Sequence, residues 1–179
     1  MNRPQILKNT EAFVKETLKN AEGGHDWFHI QRVWNNAKLI AKSEDADLFI
    51  VELGALLHDI ADSKFHNRDE SVGPKVASTF LQKEQADPEV IDHVVKIIEN
   101  VSFKGGNIQQ EFNSIELEIV QDADRLDALG AIGIARTFNY GGFKARALYD
   151  PEIKPELNMS KEEYKEKRIG VLNDYKSNI

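Results

Sequence analysis

At 179 residues, with 41% hydrophobic and 30% charged residues, the chain has the composition of a soluble globular protein able to bury a substantial core. A net charge of −7 argues against binding to extended nucleic acid or an anionic membrane, both of which call for a basic surface. The absence of cysteine excludes a disulfide framework and a thiolate zinc site. No stretch approaches a membrane span or a secretory leader, so the expected compartment is the cytoplasm.

No repeat or linker divides the sequence, and residues 1–179 are expected to form one domain. Nearly every periodic segment has helical spacing, and the β-branched runs are too interrupted for a sheet, so the expected fold class is all-α. Thr10 can cap a first helix reaching about Ala21, with Phe13, Val14 and Leu18 on one face, ended by Gly23-Gly24. Asp26 can cap a second, whose apolar stripe is Ile30, Val33, Trp34, Ala37, Ile40 and Ala41. A third runs from about Asp47 to Ile60, followed by a polar loop. The fourth carries Val72, Val76, Phe80 and Leu81. Asp87-Pro88 opens the fifth, a cap followed by proline at the first helical position. The sixth is expected from Ile115 to about Phe138, with Leu117, Val120, Ala123, Leu126 and Leu129 facing inward; Gly130 and Gly133 within it predict close packing or a bend. After a loop from Gly141 to Met159, Ser160 and Glu163 form a capping box for a polar last helix.

The third helix carries an unusual chemical demand. Its residues Leu48, Phe49, Ile50, Val51, Leu53, Leu56 and Leu57 are apolar on all sides, as in a buried helix. Yet it ends in His58, Asp59 and, three residues on, Asp62. Burying these groups is costly unless each is paired or bound to a cation. Three further carboxylates, Asp122, Asp124 and Asp127, crowd the sixth helix and repel one another without a nearby positive charge. His29 sits on the second helix beside Arg32. Two imidazoles and two carboxylates drawn from three helices suit a divalent transition ion. Asp122 and Asp124 face different sides of their helix. Asp127 reads equally as a group orienting a ligand or as an exposed helix residue. His93 reads equally as a hydrogen-bonded core histidine or a substrate contact.

Three blocks extend this pattern: His25-Asp26-Trp27-Phe28-His29, Ala55-Leu56-Leu57-His58-Asp59-Ile60, and Gln121-Asp122-Ala123-Asp124-Arg125-Leu126-Asp127 continuing to Arg136. In this order they resemble the HD-domain metal-dependent phosphohydrolase superfamily, and within it a bacterial subfamily of small HD hydrolases. The resemblance covers roughly residues 20 to 150, with 141–179 as a C-terminal loop and helix. It implies an HD-type helical bundle whose second, third and sixth helices converge on one divalent ion. Mn²⁺ is favoured, with Mg²⁺, Fe²⁺, Co²⁺, Ni²⁺ and Zn²⁺ as others. The implied ligands are His29, His58, Asp59 and Asp124, the last because the superfamily's ligand commonly sits in an Ala-Asp-x-Leu setting. Relatives with two ions add histidines, and only His66 and His93 are available here. Asp59 and Asp62 are the implied catalytic carboxylates, Asp62 standing where Glu is more usual. Arg32, Lys64, Arg125 and His66 are the candidates to hold phosphate oxygens. The implied activity is metal-assisted hydrolysis of a phosphate ester or pyrophosphate bond in a small molecule, a nucleotide being favoured, by a monomer or homodimer. Two other readings stand beside it: a non-catalytic nucleotide-binding regulatory module, and a di-iron oxygenase of the HD class, which needs more histidines.

Overall fold

A computed structural model of the chain describes residues 1–21, 23–61, 69–102 and 112–152. Among these residues the fold is all-α, seven helices without a strand. Helix α1 spans Arg3–Thr17 and starts earlier than expected. The Asn2 side chain accepts the Gln5 N–H and Pro4 occupies the first turn. Thr10 is therefore an interior residue rather than a cap, buried with its hydroxyl donating to the Ile6 carbonyl at 2.8 Å. Helix α2, Trp27–Ile40, begins where Asp26 accepts the His29 N–H at 3.0 Å, which sets His29 in the first turn. A 3-10 turn at Ala41–Ser43 leads to α3, Leu48–Leu57. Helices α4, Val72–Lys83, and α5, Pro88–Asn100, pack on each other. Helix α6, Ile115–Asp127, is capped by Ser114, and α7 covers Gly130–Phe143.

Helix α3 is the axis of the bundle, packed against α1, α2, α5 and α6. Leu53, Leu56 and Leu57 are fully buried, each worth about 1.5–3 kcal/mol of apolar transfer. A methyl group on Gly54 would come within 3.2 Å of Ile97 and 3.3 Å of Val120, so the α3 backbone approaches α5 and α6 closely enough that a side chain there would push on both neighbours. This packing holds the polar end of α3 in a fixed place.

The long sixth helix expected from the sequence is two helices. Ala128 and Leu129 leave the helical path, and Gly130 adopts φ +64°, the left-handed region glycine enters without steric cost. A Cβ on Gly133 would collide with the Ala128 carbonyl, so the turn also depends on that glycine. Leu126 and Leu129, expected to face inward, are 49% and 54% exposed: Leu126 sits on the solvent side of α6 beside the buried Asp127, and Leu129 falls in the turn. The turn directs α7 back over the end of α6. No helix among the described residues is long and apolar enough to cross a membrane. The last helix expected from Ser160 lies outside the described residues.

Candidate metal centre

Three helices bring four of the expected groups together. From the first turn of α2 comes His29, 1% exposed; from the residues just past α3 come His58 and Asp59; from α6 comes Asp124. His29 Nε2 lies 3.3 Å from His58 Nε2, 3.5 Å from Asp124 Oδ1 and 3.9 Å from Asp59 Oδ2. His58 Nε2 is 3.7 Å from the same Asp124 oxygen. One ligand atom each from His29, His58 and Asp59 fit within 4.8 Å of one another. Donors bound to a single ion at about 2.1 Å stand roughly 3–3.5 Å from their neighbours; the 3.3 and 3.5 Å separations match a shared cation, and those of 3.7 and 3.9 Å lie a few tenths of an ångström beyond.

The hydrogen bonds behind the two rings determine what faces the centre. His58 Nδ1 lies 2.8 Å from the Ala55 carbonyl, which only accepts, so Nδ1 carries the proton. His29 Nδ1 lies 2.8 Å from Asp127 Oδ2. Burial alone would push the Asp127 carboxyl up. The bonds from His29 and Arg32, with the Arg136 charge nearby, outweigh burial and hold it well below the usual carboxylate range. Asp127 is thus an acceptor too, and His29 donates to it through Nδ1. Burial lowers the pKa of His29 against the opposing Asp127 bond, with His58 and Arg136 adding to the fall, which favours the neutral ring. Both Nε2 atoms then face each other and the two carboxylates. Such a convergence of ring nitrogens and carboxylates is costly to bury unless a cation lies among them. The donor set of imidazole and carboxylate fits a divalent ion.

The remaining expected residues are distributed differently. Asp122 turns outward, 63% exposed, and pairs with Arg125 at 3.4 Å on the outer side of α6. Arg125 is itself 53% exposed. Arg32, expected to hold phosphate, instead forks onto Asp127, with Nε 2.6 Å from Oδ1 and the second nitrogen 3.0 Å from Oδ2. This bond raises the already high pKa of Arg32. His93 is tied into the packing away from the cluster: its Nε2 lies 2.9 Å from Ser114 Oγ and 3.4 Å from Glu116, which also accepts the Asp47 N–H. Asp62, Lys64 and His66 lie outside the described residues.

Two contributors were not anticipated. Arg136 reaches from α7 to Asp127 Oδ2 at 3.0 Å and to the Gly24 carbonyl at 2.9 Å. His25 lies edge-on between His29 and Tyr140, with ring centroids 6.3 Å and 6.0 Å away.

Known proteins resemble this chain in sequence and in fold. Residues 27–129 match the HD domain family. The Bacillus subtilis protein YpgQ is 43% identical over 157 residues, covering 82% of this chain and 73% of the relative. Its crystal structure in complex with ADP superposes with a TM-score of 0.64 at 38% identity, over 85% of this chain and 73% of that one. A crystal structure from Lactobacillus plantarum superposes with a TM-score of 0.84 at 31% identity, over 97% of this chain and 80% of that chain. An HD-superfamily hydrolase from Bacillus thuringiensis gives 0.65 at 42% identity, over 92% and 80%. This chain belongs to the HD domain family, as a metal-dependent phosphohydrolase of the HD type.

Proposed function

We propose that the chain hydrolyses a phosphate ester or pyrophosphate bond of a nucleotide at a single divalent ion held by His29, His58, Asp59 and Asp124. The observation that carries the ion is the meeting of two imidazole Nε2 atoms and two carboxylates from three helices. The nucleotide is supported by the ADP complex of the Bacillus subtilis relative. Mn²⁺ is the favoured ion, on the mixed nitrogen and oxygen donor set. When bound, the ion supplies Lewis-acid polarisation and a water of lowered pKa.

The chain's own groups supply the rest. The bonds on the far nitrogens of His29 and His58 keep their Nε2 atoms directed at the centre. Asp59, 14% exposed, and Asp124, 33% exposed, leave the cluster open on one side for a substrate. Asp62, three residues beyond Asp59 in sequence, is the candidate proton acceptor in this reading. Lys64, His66 and Arg125 are the candidates for the phosphate oxygens.

The test is phosphate and pyrophosphate release from nucleoside mono-, di- and triphosphates with Mn²⁺, Mg²⁺, Co²⁺ or Ni²⁺, run beside Asp59→Ala. Metal-dependent release, abolished in Asp59→Ala and by chelation, is the expected result, and the product identifies the bond cut. Metal-loaded protein that binds nucleotide without turnover would move the assignment to a regulatory module. Release that persists in Asp59→Ala would overturn the site.

A further inference from the structure

The carboxylate of Asp127 stands one step behind the cluster, 3% exposed, and gathers three donors. His29 Nδ1 lies at 2.8 Å, Arg32 closes a fork at 2.6 Å and 3.0 Å, and Arg136 approaches at 3.0 Å. A buried carboxylate is expensive unless it is well bonded. Two permanent cations and one imidazole meet that demand and keep the group an acceptor. His29 then has one tautomer open to it, with the proton on Nδ1 and the lone pair on Nε2, 3.3 Å from His58 Nε2 and 3.5 Å from Asp124. Arg136 adds a second constraint. It donates to the Gly24 carbonyl ahead of α2 and to the Asp127 carbonyl at 3.3 Å, so the entry to α2 and the exit from α6 are joined by one guanidinium. Without Asp127 the imidazole is free to exchange its nitrogens or turn from the centre.

We propose that Asp127 is the positioning residue of the metal centre: it fixes the tautomer and orientation of His29. Arg32 and Arg136 serve it by clamping its carboxylate, and Arg32 works there instead of on the substrate. This inference rests on the metal-centre reading above. Carboxylates placed behind a ligating histidine act on ion affinity without touching the ion, by about 10–100-fold when removed.

The experiment combines two measurements on the full chain. ¹⁵N NMR of chelator-treated protein, with His29 identified by its loss in His29→Gln, reads the tautomer directly. Titration of Mn²⁺ followed by electron paramagnetic resonance reads the affinity of wild type, Asp127→Ala, Asp127→Asn and Arg32→Gln, with folding checked by circular dichroism. The wild-type ring should carry its proton on Nδ1. Asp127→Ala should bind Mn²⁺ about 10–100-fold more weakly. Asp127→Asn, whose side-chain oxygen still accepts the Nδ1 proton, should lose less, and it decides the matter if the alanine variant does not fold. Arg32→Gln should weaken Mn²⁺ binding as well. A wild-type ring protonated on Nε2, or Asp127 variants with undiminished Mn²⁺ affinity, would overturn the inference. Arg32→Gln that raises KM and leaves Mn²⁺ affinity intact would return Arg32 to the substrate. A wild-type chain that binds no Mn²⁺ would instead sink the metal centre itself.

Discussion

The two imidazoles at the centre stand 3.3 Å apart, yet the regions that hold them work by different physics. At the end of α3, His58 donates to the carbonyl of Ala55, three residues back on its own helix. That support is local and uncharged, and its accuracy derives from the apolar packing of α3. At the junction of α2 with α6, His29 donates to a carboxylate 98 residues away in sequence, and two arginines hold that carboxylate in place. One ring is placed by the hydrophobic core and the other by a buried ionic network. A site can therefore be disturbed from either side, and the two disturbances carry different signatures.

The largest effect is expected where the two regions meet. Asp124 Oδ1 faces both Nε2 atoms, at 3.5 Å and 3.7 Å, so Asp124→Asn should reduce Mn²⁺ affinity by more than the roughly 100-fold limit typical of outer groups. Asp122→Asn, altering an exposed pair worth at most about 1 kcal/mol, should leave affinity unchanged. If calorimetric titration finds the two variants reversed, the ligand on α6 has been misassigned.

The next effect belongs to the α3 side alone. Leu53→Ala removes a fully buried side chain and should cost about 2–5 kcal/mol of stability. Denaturant unfolding should register that loss, while Mn²⁺ affinity of the folded variant stays near wild type. A variant equally stable but poor in metal binding would contradict the division of labour between core and network.

A smaller effect sharpens the other side. Burial keeps His29 neutral below its ordinary value of 6.5, so the unfolded chain binds a proton that the folded chain refuses. Stability of the metal-free protein should therefore be complete above that value and decline as pH falls through it, giving a lower Tm at pH 5 than at pH 7. His29→Gln should flatten this decline. Asp127, with its depressed pKa, acts in a more acidic window: its contribution is present above about pH 4 and is lost only below it. An equal decline in wild type and His29→Gln would mean that the ring is not the group being titrated.

The same contrast explains what could be seen in the sequence. The α3 side was legible because its signal is contiguous: an all-apolar helix running into His58-Asp59 states its conflict within a dozen residues. The cap at Asp26, and with it the place of His29, was equally local. The all-α class followed from helical periodicity. Asp127 stayed undecided because its burial is decided by His29, Arg32 and Arg136, which come from two other helices and leave no periodic trace. The break after α6 was half legible: Gly130 and Gly133 announced a bend, but the inward face assigned to Leu129 assumed that the helix went on, and that assigned to Leu126 took the apolar residue for the buried one where Asp127 is. The early start of α1 was missed because Asn2 and Pro4 act through a first turn that carries few apolar residues.

Helix α7 gives the centre one more property. It buries only two glycines, Gly133 and Gly141, and enters through a left-handed glycine, so separating it from the bundle exposes little apolar surface. Segments of this kind open at lower free energy than the core they lean on. Each such opening would withdraw Arg136 from Asp127 and from the Gly24 carbonyl while α3 remains in place. The durability of the ion's surroundings is thus capped by local fraying of a peripheral helix rather than by global unfolding, and amide exchange in α7 should be the first to report it.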